Sequence, residues 1–127
     1  MEKDFDKWNK RKQEIDHLVT LPLFNEGEVW HCHMGINVGF ESDGKKNSFL
    51  RPVFILKKFN HHTFWAIPLT HTRKSGIYYH QLRDSTLGYL NLSQLRLMDT
   101  RRLLRRKVRI ISDEVLEIKE KVRKLIS

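Results

Sequence analysis

The stretch FLRPVFILKK, residues 49–58, decides how the chain is to be read. VFIL at 53–56 is continuously apolar, and its β-branched and aromatic side chains suit a buried strand. Arg51 and Pro52 stand at its start. Proline has no backbone N–H, so the strand opens with a guanidinium beside a position that cannot donate to a sheet ladder. Either Arg51 is a surface salt-bridge partner, or it is held at a fixed point on a sheet edge to meet a charged ligand.

The chain before this strand, EVWHCHMGINV at 28–38, alternates. Trp30, Cys32, Met34, Ile36 and Val38 share one face, and Val29, His31, His33 and Asn37 share the other. This predicts a half-buried strand with its histidines on the outer face. GFESDGKKNS at 39–48 then reads as a long exposed hairpin loop. After the opening strand, Asn60, His61 and His62 turn the chain. TFWAIPL at 63–69 is another strand, in which Pro68 predicts an edge or a bulge. THTRKSG is a polar loop. GIYYHQL at 76–82 and LGYLNLS at 87–93 are further strands.

Beyond Gln94 the pattern changes. Asp99 is placed to cap a short helix, DTRRLLRR, before a closing strand KVRII. Ser112 is the expected N-cap of a terminal helix, with Asp113 and Glu114 favourable in its first turn. Val115, Ile118, Val122 and Leu125 give that helix its apolar stripe. At the other end, Asp4 and the stripe Phe5, Trp8, Lys12, Ile15 and Val19 predict a helix over 4–19, ended by Leu21 and Pro22. The class is therefore mainly β with terminal helices (α+β). It is a small barrel-like sheet over 26–127, preceded by a helical extension over 1–25.

A chain of 127 residues fits one such domain with a real core. Its 39% hydrophobic and 31% charged residues fit neither a disordered chain nor a membrane protein. No apolar run approaches the roughly 20 residues that span a bilayer. The first residues lack a signal-peptide core, and Cys32 has no internal disulfide partner, so the expected compartment is the cytoplasm. The formal charge of +9 points to an anionic partner. The basic residues concentrate near the start, in HTRK at 71–74 and in RLMDTRRLLRRKVR at 96–109.

The histidines and Cys32 show no CxxC or HExxH spacing, so no metal site and no cofactor are expected. Phosphate-binding glycine loops and GxSxG are absent as well. The tryptophans and tyrosines read first as core, with base stacking as the other use. What remains is a set at the ends of paired strands: Arg51, Thr70 where the 63–69 strand ends, and Glu41 in the loop before Arg51. Arg binds non-bridging phosphate oxygens bidentately, Thr donates to the same oxygens, and a carboxylate or histidine moves a proton. RNA brings its own nucleophile, the 2′-OH, so such a set needs no metal.

These residues carry a resemblance. The order GEVW (27–30), GFE (39–41), LRPVFIL (50–56), AIPLTHT (66–72), LSQLRLMDTRRL (92–103) and SDEVLEIKEKVRKLI (112–126) resembles the MazF/PemK toxins of bacterial type II toxin–antitoxin systems. The resemblance implies an SH3-like barrel, a homodimer and metal-independent cleavage of single-stranded RNA to a 2′,3′-cyclic phosphate and a 5′-OH. It further implies a cognate antitoxin as partner. It puts the family's arginine on Arg51 as catalytic clamp or acid, its threonine on Thr70 and its loop glutamate on Glu41 as base. Gln94 matches the glutamine near the dimer and substrate surface. Arg73, Lys74, His71 and His80 join Gln94 as expected RNA contacts, and His71 and His80 are also candidate proton carriers. The alternative is a non-catalytic SH3-like module that binds RNA or protein. The loop at 40–50 is longer than in the family, and the helix at 4–19 is extra.

Overall fold

The computed structural model describes residues 21–34 and 50–127. The expected helix at 4–19, the hairpin loop and Glu41 lie outside the described residues. Among the described residues seven strands form one antiparallel sheet: β1 (Glu28–His33), β2 (Leu50–Lys58), β3 (Thr63–Thr70), β4 (Tyr79–Gln81), β5 (Tyr89–Asn91), β6 (Arg96–Asp99) and β7 (Leu103–Arg109). One helix, α1 (Ser112–Ile126), closes the chain. The order is β4-β5-β3-β2-β1-β7, with β6 also paired to β3.

The VFIL run explains this sheet. Alternate side chains leave opposite faces, so Phe54 and Leu56 enter one apolar cluster while Val53 and Ile55 enter the other. The first cluster lies under α1, whose Ile118 and Val122 are buried beside Val29, Ile67 and Leu90. The second gathers Phe24, Trp30, Cys32, Phe64, Met98 and Leu103. Met98 comes from β6 and Leu103 from β7, strands at far sides of the path β6-β3-β2-β1-β7. Their meeting in one cluster requires the sheet to curl on itself. Each large aliphatic or aromatic side chain so buried contributes about 1.5–3 kcal/mol of transfer free energy.

Four expectations are corrected. β1 is not half-buried: Val29 and His33 are as enclosed as Trp30 and Cys32, because both sheet faces carry a cluster. Pro68 marks neither an edge nor a bulge. β3 is interior, and its partner on one side changes from β6, last paired at Ala66, to β5, first paired at Leu69. Pro68 falls in that handover, where a missing N–H is tolerated. The bulge lies instead between Ile55 and Lys57 on β2.

The short helix at 99–106 is a single 3-10 turn, Thr100–Arg102, followed at once by β7. Asp99 does cap it, accepting from the Arg101 amide at 2.8 Å. Pairing with β1 then outweighs local helix propensity and seats Leu103 opposite Cys32. Lastly, Ser112 is the first residue of α1, not its cap; Ile111 holds the cap position without a side-chain bond.

Two carboxylates, buried Glu28 and half-buried Glu26, fasten elements together. Glu28 accepts from the Asn25 amide at 2.8 Å, the Trp30 indole at 3.0 Å and Arg106 at 3.1 Å. Burial pushes its carboxyl up, but these donors outweigh that and hold it below the usual carboxylate range. Glu26 accepts from Lys119 of α1 at 2.8 Å and from the Lys58 amide of β2 at 2.9 Å. Its carboxyl is raised by burial and lowered by more through those bonds, with a net fall. At the sheet's end, β7 exposes Arg105, Arg106 and Lys107, charges that discourage strand-on-strand association. Among the described residues no helix is long and apolar enough to cross a membrane.

Candidate active site

The register of β2 on β3 places the two central residues. Val53 pairs with Pro68, Phe54 with Ile67 and Ile55 with Ala66. Arg51 and Thr70 each lie two residues beyond the Val53–Pro68 pair, Arg51 before it on β2 and Thr70 after it on β3. Pro52 and Pro68 both lack an N–H, and the ladder ends at Val53 and Pro68. The strands therefore stop exchanging hydrogen bonds just where Arg51 and Thr70 stand. This is the physical sense of an arginine-proline start.

Both residues are half-exposed. The Arg51 Nε atom is buried, so the side chain leaves the sheet through packed surroundings. Thr70 Oγ1 accepts from the Thr72 amide at 3.2 Å, which orients the hydroxyl and leaves its proton to donate. A guanidinium and a hydroxyl thus stand at the same end of the β2–β3 pair.

Neighbouring pairs extend this into a row. Cys32 of β1 opposes Arg51. Thr70 opposes Tyr89 of β5, and Tyr89 opposes Gln81 of β4. The row runs from sealed Cys32, through half-exposed Arg51, Thr70 and Tyr89, to exposed Gln81. Burial pushes the Cys32 thiol far up, so it is a core side chain and no nucleophile. Tyr89 was read first as core, with base stacking as the other use, and Gln81 was not singled out. Only the strand pairings bring them to Thr70.

The other expected residues divide. His71, Arg73 and Lys74 are exposed on the loop that leaves Thr70, and Lys74 Nζ lies 5.8 Å from the Tyr79 ring centre. Gln94 is half-exposed at the end of the 3-10 turn Leu92–Gln94, two residues before Arg96. His80 is corrected: it is buried and meets no solvent-borne ligand. Its Nδ1 lies 2.9 Å from Lys121 Nζ, and its Nε2 lies 2.8 Å from Glu114 Oε2. Lysine only donates, so Nδ1 accepts and the ring proton on Nε2 goes to Glu114. Glu114 also accepts from the Arg83 amide at 2.9 Å. This buried set ties β4 to α1. Beside it lies an apolar groove of about 420 Å³, lined by Gly76, Ile77, Tyr79, Lys121, Lys124 and Leu125.

A family model described as PemK-like, MazF-like toxin of type II toxin-antitoxin system matches residues 25–126. A search of curated protein sequences gives no match. Among solved structures, the chain is similar to MazF from Deinococcus radiodurans at 20% identity, TM-score 0.67, over 84% of this chain and 97% of that one. It is similar to a MazE–MazF structure from the same organism at 18% identity, TM-score 0.62, over 85% and 97%. A mycobacterial endoribonuclease in complex with its cognate antitoxin matches at 15% identity, TM-score 0.62, over 82% and 95%. At these identities the structures show a shared fold, while the family model spans most of the sequence: the chain belongs to the PemK-like, MazF-like toxin family of type II toxin–antitoxin systems.

Proposed function

We propose that the chain is an endoribonuclease that cuts single-stranded RNA at specific sequences, without a metal. The observation that supports this is that the β2–β3 ladder ends at Val53 and Pro68, with Arg51 and Thr70 each two residues beyond it. The substrate's 2′-oxygen attacks the adjacent phosphorus, and the bond to the 5′-oxygen breaks. The 2′-OH proton leaves with a base, and a proton returns to the departing 5′-oxygen. A 2′,3′-cyclic phosphate and a 5′-OH result, with no water consumed. Charge builds on the non-bridging oxygens during attack. Arg51 clamps them bidentately, and Thr70 donates its hydroxyl proton to one of them. Arginine keeps its proton in proteins, so Arg51 serves as clamp and not as acid. Glu41, outside the described residues, is the proposed base, and exposed His71 is a second proton carrier. Arg73, Lys74 and Gln94 guide the RNA strand.

The same reading makes the chain a cytoplasmic homodimer restrained by a cognate antitoxin. The groove beside β4 supports a protein partner: its floor of Ile77, Tyr79 and Leu125 is apolar, and Lys121 and Lys124 line it. An acidic segment with aliphatic side chains suits that chemistry. Leu125→Asp should weaken binding of the cognate antitoxin at least tenfold in titration calorimetry and leave RNA cleavage near the wild-type rate.

The function is tested by incubating purified protein with single-stranded RNA in EDTA and mapping the ends. Discrete products with cyclic phosphate and 5′-OH termini are expected. A shifted band with intact RNA would favour the non-catalytic binding module.

A further inference from the structure

We infer that Gly88 is a positioning residue for the Thr70 hydroxyl; the inference rests on the role proposed for Thr70 above. Gly88 has φ +87°, a conformation that L side chains rarely adopt. A Cβ built there lies 2.4 Å from the Thr70 carbonyl oxygen, 3.1 Å from its carbonyl carbon and 3.2 Å from His71 Nδ1. A flexible side-chain tip can swing away from such a contact. The carbonyl of an interior strand cannot retreat from 2.4 Å to even 3.0 Å unless the peptide after Thr70 rotates.

Gly88 has little freedom to give way in its place. The 3-10 turn before it, Ser85–Leu87, is capped by Asp84, which accepts from the Thr86 amide at 3.1 Å and the Thr86 hydroxyl at 2.6 Å. The Gly88 amide donates to the Ser85 carbonyl at 3.3 Å, and its own carbonyl accepts from the Leu82 amide at 3.0 Å. The next residue, Tyr89, pairs with Thr70. The turn is therefore a brace that presses a bare backbone against Thr70. Rotating the peptide after Thr70 would also move the Thr72 amide, whose bond to Thr70 Oγ1 sets the hydroxyl's direction. A displacement near 1 Å at a reacting group costs about 100-fold in rate.

The test measures single-turnover cleavage and RNA affinity for the full chain, with a cleavage-resistant 2′-O-methyl copy of the RNA as binding probe. Gly88→Ala should cut about 100-fold more slowly and bind the probe within about twofold of wild type. In a Thr70→Ala background, Gly88→Ala should cost nothing further, because the hydroxyl it displaces is gone. Asp84→Ala loosens the brace from an exposed position and serves if Gly88→Ala does not fold. It should slow cleavage several-fold, again only when Thr70 is present. Equal losses in both backgrounds, or no loss from either variant, would overturn the positioning role alone. A Thr70→Ala protein that cuts at the wild-type rate would overturn the Thr70 assignment, and this inference with it.

Discussion

His80 Nε2 and Glu114 Oε2 lie 2.8 Å apart in the interior, so a strand residue and the first turn of α1 are joined by a buried hydrogen bond. The histidine belongs to the fold and not to the substrate surface.

Removing the imidazole should therefore cost stability and spare binding. His80→Ala removes one donor to Glu114 and leaves it accepting from the Arg83 amide. A lost buried partner costs about 1–3 kcal/mol, and the vacated volume adds to that. Urea unfolding should show the loss, while RNA affinity well below the new midpoint stays at the wild-type value. A large drop in affinity with stability unchanged would return His80 to the RNA surface.

Acid should unfold the protein through Glu26 and Glu28. Both carboxyls are held below their ordinary values in the folded state. Their stabilisation is therefore fully present above the unfolded carboxylate pKa, about 4.3. It is lost as pH falls through the lower folded values, because the unfolded chain takes up protons first. Melting temperatures measured from pH 7 downward should begin to fall near pH 4 and drop steeply below it. Glu28→Gln should melt lower at pH 7 and show a shallower acid limb. An acid limb as steep as that of wild type would remove Glu28 from this role.

RNA binding should separate into a charged part and a stacking part. Arg73→Ala and Lys74→Ala should each weaken binding for all sequences and reduce the salt slope by about 0.7 on a single strand. Tyr89 pairs with Thr70 and is half-exposed. Tyr89→Ala should cost about 1–3 kcal/mol of binding with little change in salt slope, and Tyr89→Phe should retain most of it. Filter binding across a salt series distinguishes the two. A Tyr89→Ala protein that binds normally would place the bases elsewhere.

Much of this was legible from local pattern. The VFIL run gave a strand buried on both sides, and the stripe Val115, Ile118, Val122 and Leu125 gave the face of α1. Arg51 and Thr70 were singled out because strand ends are visible in a sequence and because the order of motifs resembles the family's. β7 was misread because Asp99 and the following arginines and leucines favour a helix locally. What opposes them is pairing with β1, seventy-odd positions earlier (Cys32 with Leu103). The burial of His80 depends on Glu114, a partner in another element with no mark in the strand's alternation. Tyr89 and Gln81 join the site only through register, and Gly88 reads as an ordinary turn glycine until the distance to Thr70 is known.

The central claim is that Arg51 and Thr70 grip one phosphate. It is tested most directly by a double-mutant cycle on single-turnover cleavage, with folding of each variant checked by melting. Arg51→Ala and Thr70→Ala should each lose at least about 100-fold, and the double variant should lose far less than the product, because residues that act as a unit are not additive. Losses that multiply as independent effects, or a single variant that cuts at the wild-type rate, would contradict it.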